Sequence, residues 1–198
     1  MATPNATSTI VSQAFRFMEV TAPSSLADQS TKATDANEQY PLALNACLEQ
    51  EDFSFARRFA FLKLANTPEG EVVDPDLPNF HVLPKDCLKL RGLREKSIKW
   101  RIDGLYLLTN SAADVAIRYT RQITDESRLP ALFQTAVSYQ LAILLAPTYV
   151  ASRTKRADLV SDGAAALRKA IDNDAVSASH ARWDGMDEQG DWASEATR

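Results

Sequence analysis

The chain is 198 residues long, 45% hydrophobic and 24% charged, with a formal net charge of −4. This is the composition of an ordinary globular protein, long enough to bury a core without help from a metal or a disulfide. Its acidity argues against a dedicated nucleic-acid binder, which is usually basic over its whole domain.

Residues 7–20 predict a first helix, capped by Thr7 or Ser8, with Ile10, Ala14, Phe17 and Met18 on one face at helical spacing. Residues 21–34 are polar and contain Pro23, so they predict a loop. A second helix is predicted over 35–50. Asp35 and Glu38 have capping-box spacing there, and Leu44, Cys47 and Leu48 form the buried stripe. Pro41 falls inside that span, so it either kinks the helix or marks a later first position.

From 53 to 121 the apolar period shortens to about two, which predicts an inserted small antiparallel β-sheet. Phe53, Phe55, Phe59 and Phe61 alternate with smaller or charged residues, as in half-buried strands. Residues 66–79, with three prolines, predict a loop. Further strands are expected over 81–83, 87–93, 98–102, 105–109 and 115–121 in a meander. Asp103-Gly104 is the hairpin signal, supplying the positive φ angles of a type I′ turn.

A central buried helix is predicted over 129–146. It is apolar nearly all round from Leu132 to Leu145, with Pro130 in its first turn and Pro147 at its end. A fourth helix is expected over 153–175, with Leu159, Ala166, Leu167, Ala170 and Ile171 inward and fraying at Asp172-Asn173-Asp174, where the dipole disfavours negative charge. Residues 177–198 are small, polar and acidic, yet hold Trp183, Met186 and Trp192 with no period joining them, so they predict an extended C-terminal arm. The fold class is therefore α+β, mainly α: a four-helix adaptor domain over 1–176 with a β insertion, then the arm.

Catalytic chemistry finds no foothold in this sequence. His81 and His180 lie in different regions, and neither sits in a nucleophile motif. Asp125-Glu126 precedes a helix and reads as capping, and Asp86 after Pro84 as a turn residue. With six glycines in all, no phosphate-binding loop is present. Cys47 and Cys87 sit among apolar neighbours as small hydrophobes, and no close Cys/His pairing builds a zinc site. No cofactor and no metal are expected. Residues 1–6 have neither the basic nor the apolar region of a signal peptide. The longest apolar run, 141–146, is far short of the ~20 residues that cross a bilayer, so synthesis in a cytoplasm and no membrane contact are expected.

Two features point to partners. Arg91, Arg94, Lys96, Lys99 and Arg101, against Glu95, form the sharpest charge cluster; it is either the solvated face of a hairpin or a contact for an acidic neighbour. Trp183, Met186 and Trp192 are either parts of an unstructured tail or anchors for pockets on another protein, since exposed indole is rare in tails.

The order of landmarks over 52–149 resembles the head-to-tail adaptor proteins of tailed bacteriophages, in particular those called tail tubular protein A. Leu83-Pro84-Lys85-Asp86-Cys87 matches that family's Leu-Pro-x-Asp-Cys feature. Ile102-Asp103-Gly104 followed by Leu107-Leu108 looks like its hairpin. Residues 119–125 with Leu129-Pro130-x-Leu132-Phe133 are similar to the strand that leads into its central helix. The likeness is clearest over 52–175, weaker before Tyr40, and departs after Val176.

The resemblance implies a non-enzymatic virion protein at the head–tail interface. It implies a homo-oligomeric ring of twelve copies, portal protein on one side, and a tail, nozzle or stopper protein on the other. Genomic DNA passes through the lumen without sequence-specific binding. The alternatives are a tail completion or terminator protein, a hexameric plug on the tail side, and a cytosolic binding module with no virion role.

Overall fold

A computed structural model describes residues 8–67, 70 and 72–177. The expected arm, 177–198, lies outside the described residues except for the backbone of Ser177. By its internal contacts the chain divides into a helical unit, 1–56 with 122–178, and a β unit that includes 57–121.

The helical unit begins with α1, Thr9–Phe17, shorter than the expected 7–20 because the chain turns sharply after it. Ser8 is the cap: its Oγ accepts from the Val11 amide at 3.2 Å. At the far end the Val20 amide donates to Phe15 O and the Glu19 amide to Arg16 O, the paired bonds of a Schellman motif. Glu19 takes the left-handed position there, φ 60, where glycine is usual. Ile10, Val11, Ala14, Phe15 and Met18 are buried, while Phe17 stacks on Tyr139 with centroids 3.9 Å apart.

Helix α2, Thr31–Gln50, starts earlier than the expected 35–50 because Ser30 takes the cap, its Oγ accepting from the Ala33 amide. Asp35 is therefore no cap; it accepts instead from the Tyr149 hydroxyl at 2.6 Å. Pro41 sits in the helix interior, so of the two readings open for it the later start is excluded. The expected stripe is present: Leu44, Cys47 and Leu48 are buried, with Tyr40 one turn before Leu44.

Helix α3, Ala131–Tyr149, replaces the expected 129–146. Pro130 has extended backbone (ψ 146) and stands before the helix, and Pro147 lies inside the last turn rather than ending it. The helix packs against α1, α2 and the following helix, which accounts for its nearly uniform apolarity. By length and composition alone α3 is apolar enough to cross a membrane; no such window was apparent from the apolar run at 141–146.

Helix α4, Arg153–Ser177, buries Leu159, Gly163, Ala166 and Ala170 along one face. A Cβ at Gly163 would lie 3.0 Å from Ile143 Cδ1, so the missing side chain lets α3 and α4 approach closely. The expected fraying at 172–174 is not seen: Asp174 accepts from both the amide and the hydroxyl of Ser54, at 2.9 and 2.6 Å.

The β unit starts at Arg57, not 53. Phe53 and Phe55 belong to the helical unit, where both rings meet Phe133 edge-on. Strands β1 (Arg57–Leu62), β4 (Cys87–Leu93) and β7 (Val115–Arg121) form one antiparallel sheet in the order β1-β7-β4. Strands β2 (Leu64–Ala65), β3 (Asn79–Val82), β5 (Trp100–Asp103) and β6 (Tyr106–Thr109) form a second, in the order β2-β3-β6-β5. The expected single meander is thus two sheets with non-sequential neighbours. Leu62, Leu93, Ile98, Leu107, Val115, Ile117 and Tyr119 form the unit's main core. Phe80, Leu77 and Leu108 pack separately on the other side of β6.

Candidate partner interface

Hairpin β5–β6 closes with Asp103 opposite Tyr106, leaving Gly104 and Leu105 as its two-residue loop. Gly104 has φ +59, and Leu105 is not among the residues with positive φ. This is the pattern of a type II′ turn, with glycine first, rather than the expected type I′. Among the described residues β5 is an edge strand, bonded only to β6, and all four of its residues are exposed. Trp100 (42% exposed) and Ile102 (40%) alternate along it, and Leu105 at the tip is 75% exposed.

The basic cluster divides into three parts. Arg91 is drawn onto the first sheet, its Nε donating to Thr120 Oγ1 at 2.8 Å. Arg101 is held by carboxylates on two sides, paired with Asp103 at 2.8 Å and Asp74 at 3.0 Å. Those bonds and charges hold its guanidinium above its ordinary range. Arg94, Lys96 and Lys99 remain exposed, and among the described residues no ion pair engages them. The cations of the cluster open to a partner are therefore these three, which directly precede β5 in the chain. Trp183, Met186 and Trp192, the other expected partner residues, lie outside the described residues.

A second exposed apolar feature was hidden by the alternation in β1. Ala60 and Leu62 point to the β core, while Phe59 (52% exposed) and Phe61 (74%) occupy the opposite face. The sequence pattern carries the pairing but not which set of alternate residues turns inward.

Several titratable groups have structural partners. Asp125 caps the 3₁₀ turn Glu126–Arg128 through the Ser127 amide, and its carboxyl is held below the ordinary range chiefly by the bonds from Ser127. Glu126 turns the other way, into the helical unit, where Ser8 Oγ donates to its Oε1 at 2.5 Å and the Tyr40 hydroxyl also bonds to it. Burial first, then the Glu126 charge, push the Tyr40 phenol far above its ordinary value. His81 is fully buried in β3 with Nε2 3.1 Å from Thr109 Oγ1. The Thr109 hydroxyl donates to Ser111 O, so His81 Nε2 is the donor of their bond, and its Nδ1 has no partner among the described residues. Burial pushes the Cys47 thiol up to about 12; burial and then Asp86 push Cys87 up to about 11. Both thiols are thus disfavoured as thiolates. Among the described residues no three His, Cys, Asp or Glu side chains are grouped as a metal site.

Two further phenols set a pH response. Tyr119 donates to Asp86 at 3.1 Å and Tyr149 to Asp35 at 2.6 Å; burial, then these carboxylates, push both phenols up to about 12. A phenol whose folded value is raised keeps its proton more firmly in the folded chain. Its stabilisation is complete below the ordinary value of 10.0 and is lost as pH rises from there towards 12. The urea midpoint is expected to begin falling above about pH 9, where the two raised thiols add the same effect, and to fall more steeply above pH 10. Tyr119→Phe and Tyr149→Phe together should flatten that fall, and an unchanged slope would show that other groups govern it.

Compared with known protein families and with curated proteins, the chain matches no family and no protein.

Proposed function

We propose that the chain is a structural head-to-tail adaptor of a tailed bacteriophage, a subunit of a twelve-copy ring below the portal. The ring extends the DNA channel and joins the capsid vertex to the tail, and the chain has no catalytic activity of its own. The observation that carries this reading is where the apolar surface lies. Nine of the thirteen exposed large hydrophobic residues among the described residues fall within 57–121, although that unit is the smaller of the two. Exposed aromatic and aliphatic side chains gathered on one unit mark surface meant for another chain. The order of landmarks over 52–149, which resembles that of tail tubular protein A, is what points to this assembly.

Mass measurement and imaging of the purified chain with portal-bearing heads should give a ring of twelve copies on the portal vertex. A six-fold ring, or no association with heads, would overturn the reading.

Reversal of the three open cations (Arg94→Glu with Lys96→Glu and Lys99→Glu) is expected to weaken assembly in a salt-dependent manner. The subunit's melting temperature should hardly change, because exposed charges contribute only ~0–1 kcal/mol each. An equal loss of subunit stability would assign these residues to the fold instead.

A further inference from the structure

The open cations lie at 94–99, immediately before β5 in the chain, and the exposed Trp100, Ile102 and Leu105 follow at once; together they suit an acidic segment bearing large apolar side chains. Residues 178–198 of this same chain have that chemistry. They hold five carboxylates against two arginines, with Trp183, Met186 and Trp192 among them, and no proline or other obstacle to extension. Twenty-one residues can reach up to ~70 Å when extended, far enough to leave one subunit for another.

We propose that the β5–β6 hairpin of one copy is the docking surface for residues 178–198 of a second copy. The inference rests on the ring reading and adds to it the identity of one subunit–subunit contact. Arg94, Lys96 and Lys99 face the carboxylates of the incoming segment. Its indoles cover Trp100, Ile102 and Leu105, which the fold leaves in water. Arg101 takes no part, since Asp74 and Asp103 already neutralise it. The pairing is head-to-tail: each copy gives a segment on one side and receives one on the other, the geometry a closed ring requires. Apolar cover sets the affinity and charge sets the register.

The test uses the full chain, isotopically heavy and light copies mixed and assembled, then treated with a carbodiimide that joins lysine amines to carboxylates in direct contact. Amides from Lys96 or Lys99 to Asp184, Asp187, Glu188 or Asp191, joining heavy to light chains, are expected. Their yield should fall about tenfold in Trp100→Ala/Leu105→Ala and likewise in Trp183→Ala/Trp192→Ala, though every lysine and carboxylate remains. Salt near 1 M, where charges are screened beyond ~3 Å, should lower it as well.

Amides found only within single chains, or an arm joined elsewhere in the copy or to the portal, would overturn the proposal. So would yields unmoved by both double substitutions. The mass of the same samples keeps the two readings apart. A ring without hairpin–arm amides removes this contact and leaves the adaptor standing; a chain that never assembles removes both.

Discussion

Phe133→Ala is expected to lower the stability of the helical unit by about 3–5 kcal/mol, the range for truncating a fully buried aromatic residue. Phe133 is 1% exposed on the first turns of α3, and its ring meets Phe53 at 4.8 Å and Phe55 at 5.0 Å, both edge-on. Phe53 itself is 0% exposed. Alanine would remove the ring on which two others rest, leaving a cavity whose walls are held by backbone on either side. One wall is the segment that Asp174 pins through Ser54. The edge-on geometry adds roughly 0.5–1.5 kcal/mol per pair beyond buried area. Urea unfolding followed by helical circular dichroism should show the midpoint shift with an unchanged slope. Phe133→Leu, which fills much of the space, should cost far less. Phe61→Ala is the contrasting case. With 74% of that residue in water, subunit stability should stay within about 0.5 kcal/mol of the parent, while assembly weakens. A small loss from Phe133→Ala would mean that the Phe53 segment is not held by this cluster.

These two substitutions also mark how far the sequence could be read. Strands β4 and β7 fall on the expected residues, 87–93 and 115–121, because a two-residue period over seven positions has few rival interpretations. The four helices and the β insertion between the second and third were legible for the same reason. Boundaries failed where two local signals competed. Ser30 and Asp35 can each cap a helix, and the structure uses the first while Asp35 bonds Tyr149, 114 positions away. Phe53 and Phe55 fit a strand by spacing, but their packing partner, Phe133, lies 80 positions further on, and no local pattern carries it. The candidate interface was legible in kind and not in detail. Five basic residues stood out, yet only tertiary pairing removes Arg91, bonded to Thr120, and Arg101, bonded to Asp74. Phe59 and Phe61 were visible as aromatic residues, but not as the exposed ones, because β1 alternates and only the sheet decides which face is inside.

Glu126, expected with Asp125 as a helix cap, instead turns inward, and its removal is the second large effect expected. A carboxylate within a few residues of a helix start has an ordinary explanation as a cap, and its neighbour Asp125 fits it. Glu126 differs because the 3₁₀ turn aims it inward, where it is 8% exposed and receives hydroxyl protons from Ser8 and Tyr40. Ser8 also caps α1, Tyr40 lies mid-α2, and the Gln134 side chain donates to the backbone carbonyls of Glu126 and Leu129. The carboxylate thus ties α1 to α2, the backbone beside it is bonded to α3, and among the described residues no cation pairs with it.

Glu126→Ala would leave two buried hydroxyls with no acceptor, at about 1–3 kcal/mol each before relaxation, so a total loss of about 2–4 kcal/mol is expected. Glu126→Gln keeps the shape and one acceptor oxygen, but its amide nitrogen cannot accept the second hydroxyl; it should fall between alanine and the parent. The triple substitution Ser8→Ala, Tyr40→Phe, Glu126→Leu removes the whole polar set together. It should recover much of the loss, short of the ~1 kcal/mol lost with the α1 cap, whose Val11 amide no longer has Ser8 Oγ as acceptor. Urea midpoints of the three variants decide the matter. A triple variant less stable than Glu126→Ala would show that the network stabilises the bundle beyond satisfying its own members. Equal stability of Glu126→Ala and the parent would show that water reaches the site.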